Sequence, residues 1–131
     1  MIVLDTSALF ALMNRADPDH RRIRDALKSQ RPPYVVPAGI LAEICYLLEQ
    51  RLGLKALSVF LNDIEAGSFS LDCGQEDIGR IRLLAEKYAD LPLGFSDSCV
   101  VACAQRNATA VLTTDADFHV VAKEGNLQVL P

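Results

Sequence analysis

Short apolar runs alternate along the chain with longer segments in which apolar residues recur every three or four positions. The short runs are rich in β-branched side chains and are typical of buried strands. The longer segments have the period of helices with one apolar face. Strands that alternate with helices in this way favour a parallel sheet covered by helices on both faces.

Pro, Gly and capping residues divide the segments and set the expected boundaries. Strands are predicted at 2–4, 34–36, 69–71 and 110–112, with a fifth at 127–129. Helices are predicted at 8–13, 17–28, 37–51, 54–65, 76–88 and 96–106, with Ser96 as the cap of the last one. No repeat and no break in composition divides residues 1–131, so we expect a single domain.

The composition is that of an ordinary globular protein, with half of the 131 residues apolar and 23% charged. No apolar run approaches the roughly 20 residues that a membrane span needs. The chain starts with an apolar run and no basic segment, so no secretory signal is predicted and the cytoplasm is favoured. A net charge of -4 argues against a protein that coats nucleic acid, but a cluster of metal-binding carboxylates also produces such a value.

The four cysteines lie among apolar residues, and none forms a C-x-x-C pair. Cys99 and Cys103 share a helix face, but no nearby histidine or second pair completes a zinc site. We therefore expect all four, Cys45 and Cys73 included, to be buried free thiols.

Four acidic residues occupy unusual positions in this pattern. Asp5 directly follows the first strand, and Asp115 comes shortly after the fourth, so both belong to the same edge of a parallel sheet. Asp97 lies in the first turn of an otherwise small and apolar helix. Glu43 is the only charged residue between Ala38 and Leu48, and no basic residue three or four positions away pairs with it.

Each acid alone has a structural explanation, such as a helix cap, the helix dipole or plain exposure to water. Several acids that converge on one sheet edge, however, repel one another unless a cation lies between them. Carboxylate oxygens are the ligands that Mg²⁺ or Mn²⁺ prefers, and such an ion supports hydrolysis of phosphodiesters. No nucleophile motif competes with this interpretation, and His20 and His119 are expected at the surface.

Four motifs, in order, resemble those of the PIN-domain family. They are Leu4–Leu9, Leu41–Ile44, the segment from Tyr88 to Ala104 that contains Ser96-Asp97-Ser98, and Leu112–Phe118. The agreement extends over essentially the whole chain. The size and the tight loops are similar to the VapC branch, the toxins of prokaryotic toxin–antitoxin pairs.

The resemblance implies a three-layer α/β/α sandwich with a short, mainly parallel central sheet. It implies an endoribonuclease that depends on Mg²⁺ or Mn²⁺, acts on RNA, forms a homodimer and is blocked by a cognate antitoxin. The catalytic and metal-binding residues carried over are Asp5, Glu43, Asp97 and Asp115. Auxiliary roles fall to Thr6, Ser7, Asp117 and Asp90. The chain departs from the family at Gly94-Phe95, where relatives often carry an acid.

Alternatives to a toxin are a PIN-domain nuclease that acts in RNA processing or on DNA, and a binding module without catalysis. An aspartyl-phosphate protein is disfavoured. A phosphatase-like domain needs a second Asp two residues after Asp5, where this chain has Ser7, and Lys123 is badly placed for a receiver domain.

Three groups of residues have two interpretations each. The basic stretch is a solvated helix face or an RNA contact; it comprises Arg21, Arg22, Arg24, Lys28 and Arg31. The aromatic residues near the motifs are expected in the core rather than under a base; they are Phe10, Tyr46, Phe95 and Phe118. An apolar set is a dimer patch or ordinary core; it comprises Leu47, Leu48, Leu57 and Phe60.

Overall fold

A five-stranded, wholly parallel sheet lies at the centre of the structure, a computed structural model that describes residues 1–131. The strands are β1 (Ile2–Leu4), β2 (Tyr34–Pro37), β3 (Ser70–Asp72), β4 (Ala110–Leu112) and β5 (Gln128–Leu130). Their order across the sheet is β3-β2-β1-β4-β5. In the central strand, Val3 is in register with Val35 of β2 and with Val111 of β4. All five predicted strands are present, with β3 and β5 starting one residue later than expected.

Seven helices connect and cover the strands. They are α1 (Thr6–Met13), α2 (His20–Lys28), α3 (Leu41–Leu52), α4 (Leu54–Glu65), α5 (Ile78–Lys87), α6 (Gly94–Arg106) and α7 (Asp117–Ala122). Crossovers between parallel strands are right-handed, so α1 to α4 cover one face and α5 to α7 the other. Contacts within the two groups agree, since α1 packs on α2 and α3, while α5 packs on α6. The predicted α/β/α sandwich is confirmed.

Several helices differ from the predictions in their bounds, and one was not predicted. Helix α2 begins at His20 rather than at residue 17, because the carboxylate of Asp17 accepts the backbone N–H of Asp19 in a turn (2.8 Å). Helix α6 begins at Gly94, so Ser96 is inside the helix and the prediction of a Ser96 cap was wrong. Helix α7 was not predicted, because six residues are too few to show a helical period.

Helix α6 is the most deeply buried helix, with every residue from 98 to 104 inside the core. It packs against β1, β2 and β4, and its small side chains permit this close approach. The core also contains Leu48 and Phe60, both fully buried, while Leu57 packs against it. Three members of the apolar set therefore belong to the core, whereas Leu47 is only partly buried and is not part of it.

The four thiols are free, as predicted, but not all of them are buried. Cys99 and Cys103 lie in the core, Cys45 is half-buried, and Cys73 is exposed because it follows the edge strand β3. The prediction of burial was wrong for Cys73.

None of the helices combines the length and the apolarity needed to cross a bilayer.

The direction of the sheet connections reverses between β1 and β4. From β1 the chain moves outward through β2 to β3, and then returns across the sheet to β4 and on to β5. At such a reversal the connecting helices lie on opposite faces, which opens a crevice at the carboxyl ends of the two strands. Asp5 follows β1 and Thr113 follows β4 at this crevice.

Candidate active site

The side chain of Asp5 is buried, with 3% of the residue exposed, and is held by donors from two parts of the chain. Its Oδ1 accepts the backbone N–H of Ala8 at 2.8 Å, so Asp5 also caps α1. The hydroxyl of Ser7 lies 2.8 and 3.0 Å from the two carboxylate oxygens. The hydroxyl of Thr113 donates to Oδ2 at 2.6 Å. These bonds fix the rotamer of Asp5 and direct the carboxylate into the crevice.

Thr113 connects Asp5 to the segment that carries Asp115. Its Oγ1 accepts the backbone N–H of Asp115 at 2.9 Å, and the hydroxyl of Ser7 accepts the N–H of Thr114 at 3.0 Å. Sequence reasoning missed Thr113 as a site residue. The available signal was its place directly after β4, because the carboxyl end of β4 lies beside that of β1.

Asp97 enters the crevice from the first turn of α6. The helix starts at Gly94, whose φ of +73° is a left-handed conformation that glycine adopts without strain. The hydroxyl of Ser98 donates back to the carbonyl of Gly94 at 2.5 Å and closes the first turn. This irregular start places Asp97 half-buried at the helix end that favours negative charge.

The four predicted acids line one cleft of about 270 Å³. Its lining comprises Asp5, Thr6, Ser7, Phe10, Glu43, Leu47, Arg51, Asp97 and Asp115. The acids come from four segments that are far apart in sequence. Glu43 is exposed at the rim of the cleft, although its neighbours in the helix are mostly apolar. It therefore needs no partner to offset burial of its charge.

Electrostatic repulsion within the cleft is strongest at Asp97. The pKa of Asp97 is raised to about 7, chiefly by burial and then by the negative charges of Asp115, Asp5, Glu43 and Asp117, in that order. Burial also raises the pKa of Asp5 to about 6, although its hydrogen bonds with Thr113, Ala8 and Ser7 oppose the change. Carboxylates with raised pKa values in a cleft are typical of functional sites.

The chemistry of these groups fits a divalent cation. No group of three or more His, Cys, Asp or Glu side chains is close enough together to hold a metal ion by itself. Mg²⁺, however, needs only one or two carboxylates and keeps several waters, so a wide cluster of oxygen ligands suits it. A cation would also remove the repulsion that raises the pKa of Asp97.

A profile of the PIN domain matches residues 2–124. The chain belongs to the PIN-domain family. Among curated proteins, Ribonuclease VapC26 of Mycobacterium tuberculosis (strain ATCC 25618 / H37Rv) is 32% identical to this PIN-domain chain over 135 residues. The match covers 99% of this chain and 100% of that protein, which confirms the resemblance to the VapC branch.

Solved structures share the PIN-domain fold at lower identity. VapC20 of Mycobacterium tuberculosis, described as a sarcin–ricin-loop-cleaving toxin, has a TM-score of 0.83 at 19% identity and covers 93% of this chain and 95% of its own. A toxin–antitoxin complex from Klebsiella pneumoniae gives 0.71 at 20% identity, covering 97% and 95%. FitAcB from Neisseria gonorrhoeae gives 0.66 at 20% identity, covering 100% and 97%. These structures show the fold.

The auxiliary residues of the PIN resemblance divide into two sets. Thr6 and Ser7 line the cleft. Asp117 is close enough to raise the pKa of Asp97, and its backbone N–H donates to Oδ1 of Asp115 at 2.9 Å. Asp90 is exposed in the turn before α6 and does not line the cleft.

The remaining polar and aromatic groups lie mostly outside the PIN cleft. Arg22 and Arg24 form exposed ion pairs with Asp19 and Asp25, as on a solvated helix face. Phe118 is in the core, but Tyr46 and Phe95 are 67% and 57% exposed, so the prediction of burial was wrong for these two. Phe95 lies at the start of α6, and Tyr46 lies on an exposed side of α3; a short sequence window does not distinguish such positions from core positions.

Proposed function

We propose that this protein is a divalent-metal-dependent endoribonuclease that hydrolyses phosphodiester bonds of RNA. The observation that carries the proposal is the convergence of Asp5, Glu43, Asp97 and Asp115 on one cleft at the reversal point of the sheet. The full-length similarity to a protein named as a ribonuclease supports the same activity.

Asp5, Asp97 and Asp115 are the proposed ligands of Mg²⁺ or Mn²⁺, with Glu43 at the rim completing the set. When bound, such a cation lowers the pKa of water and offsets negative charge on the phosphodiester in the transition state. The half-buried position of Asp97 strengthens its attraction for a cation, because the cleft screens charge less than open water does.

The other residues of the cleft orient and hold these acids. Ser7 and Thr113 fix the carboxylate of Asp5 by hydrogen bonds, and Thr113 also fixes the backbone of Asp115. Thr6 also lines the cleft. A carboxylate held in this way loses little conformational entropy when it engages a cation.

We further propose that the protein is the toxin of a VapBC-type pair, acts in the cytoplasm as a homodimer and is inhibited by a cognate antitoxin. The name of the curated relative and the toxin–antitoxin complex from Klebsiella pneumoniae support an antitoxin partner. Co-purification with the product of a neighbouring small gene, and the mass of the complex in solution, test this part separately.

Cleavage of a mixed RNA pool by purified protein tests the nuclease. The reactions contain EDTA, Mg²⁺ or Mn²⁺, and the matched control is Asp97→Asn, which keeps the size and shape of the side chain. We expect cutting only with a divalent cation and none in the variant. Cation-independent cutting, or equal cutting by the variant, would contradict the proposal. A protein that cuts no RNA under either cation would be better explained as a binding module.

A further inference from the structure

The cleft changes in character along its length. Its α3 wall carries Glu43, Leu47 and Arg51, which are four residues apart and therefore share one helix face. Its α1 wall carries Thr6 and Phe10, which are related in the same way. The acids occupy the end next to the sheet, the apolar side chains the middle, and Arg51 the far end. Eight residues of helix place the backbones of Glu43 and Arg51 about 12 Å apart.

Arg51 is the one basic residue in this lining, and its side chain has no partner in the protein. The arginines that form ion pairs are Arg22, Arg24, Arg82 and Arg106. Arg51 is exposed and makes no side-chain hydrogen bond, although it shares the cleft with four carboxylates. An unpaired guanidinium in a cleft is well suited to a phosphate, which it binds through two parallel hydrogen bonds.

Phe10 and Leu47 lie between the acids and Arg51. Both are partly buried and line the cleft, and Phe10 also packs against the core. A partly exposed aromatic ring beside a cationic group is the usual platform for an unpaired nucleotide. A base that is still paired in a helix cannot reach such a surface.

We propose that the far half of this cleft is a subsite for a nucleotide adjacent to the cleaved bond. The phosphate of that nucleotide binds Arg51, and its base or ribose packs on Phe10 and Leu47. The inference rests on the proposed ribonuclease activity and adds to it a nucleotide subsite built by Arg51, Phe10 and Leu47. Because Arg51 lies two helical turns beyond Glu43, the phosphate that it binds flanks the one that is cut.

The test uses a single-stranded RNA oligonucleotide that the wild-type protein cuts, together with derivatives in which one phosphate at a time is a neutral methylphosphonate. For wild type, we expect a methylphosphonate at one position next to the cut to raise KM about tenfold with little change in kcat. This is the pattern for loss of an interaction that is common to the ground state and the transition state. For Arg51→Ala, we expect KM for the unmodified RNA to rise by a similar factor. The same methylphosphonate should then have no further effect.

Two further variants separate the specific contact from general charge. Arg51→Lys keeps the charge and should recover part of the loss in KM. Lys55→Ala removes a positive charge from an exposed residue outside the cleft and should match wild type. The inference is overturned if Arg51→Ala has the KM of wild type, or if it keeps the wild-type sensitivity to every methylphosphonate, while RNA cleavage itself stands. If the wild-type protein cuts no RNA, the proposed function fails and the subsite falls with it.

Discussion

Thr113 and Asp5 are 108 residues apart in sequence, yet the hydroxyl of Thr113 donates to the buried carboxylate of Asp5 at 2.6 Å. The Oγ1 of Thr113 also accepts the backbone N–H of Asp115 at 2.9 Å. One small side chain at the end of β4 therefore positions two of the four acids. It does so because β1 and β4 are neighbours in the sheet.

Replacing Thr113 by Val tests this positioning role, because Val has nearly the same shape and no hydroxyl. The change leaves the Asp5 carboxylate without one donor and the N–H of Asp115 without its acceptor. Loss of one partner of a buried polar group costs about 1–3 kcal/mol of stability. We also expect RNA cleavage to fall about tenfold, with Thr113→Ser close to wild type. Urea unfolding and cleavage rates measure the two effects, and normal cleavage by Thr113→Val would contradict the role.

Asp97→Asn should abolish cleavage and leave the fold intact. Without a cation, the free energy of unfolding should be equal to or higher than that of wild type, because the variant removes repulsion by Asp115 and Asp5. Asp90→Asn is the matched control, since Asp90 is an exposed acid outside the cleft. Thermal unfolding in EDTA measures the stability of each variant relative to wild type. A variant that melts well below wild type would show that Asp97 has a structural role instead.

The stability of the metal-free protein should decrease as the pH rises from about 5 to 8. The pKa values of Asp5 and Asp97 are raised to about 6 and about 7 in the folded protein, whereas both are near 3.8 in the unfolded chain. In this range the folded state holds more protons, so the free energy of unfolding falls with increasing pH. Between pH 5 and 8, the buried Asp5 alone accounts for about 1–2 kcal/mol of this decrease.

Urea unfolding in EDTA across this pH range, compared with Asp97→Asn, measures the slope. The variant should show a shallower decline, and Mg²⁺ or Mn²⁺ should flatten the wild-type curve, because binding stabilises the ionised folded state. A stability that rises between pH 5 and 8 in EDTA would refute the raised pKa values.

Gly39 lets helix α6 approach the turn after β2. A Cβ at this position would lie 2.9 Å from the Cβ of Cys99, and still nearer its Sγ, so Ala does not fit without a shift of the helix. Overpacking of this kind costs about 1–3 kcal/mol. Because α6 also carries Asp97, Gly39→Ala should lower cleavage as well as stability. Gly79→Ala, where a Cβ meets open space, is the control, and equal melting temperatures of the two variants would contradict the prediction.

Arg106 should contribute to stability and not to catalysis. Its guanidinium bonds to Asp77 at 2.9 Å and to Asp72 at 2.5 Å, and it thereby ties the end of α6 to β3. Arg106→Met leaves the buried carboxylate of Asp77 unpaired, which costs about 3 kcal/mol. Arg82→Met removes only an exposed pair with Glu86 and should cost less than about 1 kcal/mol. Similar unfolding midpoints for the two variants would refute this difference.

Local pattern determined most of the fold. Apolar runs such as Ile2–Leu4 and Ala110–Leu112 predicted the strands, because a strand buried on both faces must be continuously apolar. Helix ends were less certain. Helix α6 begins at Gly94, which adopts a left-handed conformation, whereas residue type alone favours Ser96 as the cap.

The sequence by itself also predicted the family, through its motifs, and the four acids that line the cleft, because Asp5 and Asp115 follow strands and Asp97 and Glu43 stand in otherwise apolar helices. Only the tertiary structure decided which other residues join them. Phe10, Leu47 and Arg51 carry no local signal, and Thr113 is marked only by its place after β4. Asp90 was expected near the site but lies outside the cleft. The reason is physical: a parallel sheet brings together strand ends that are about a hundred residues apart, and its strand order is fixed by packing of the whole core.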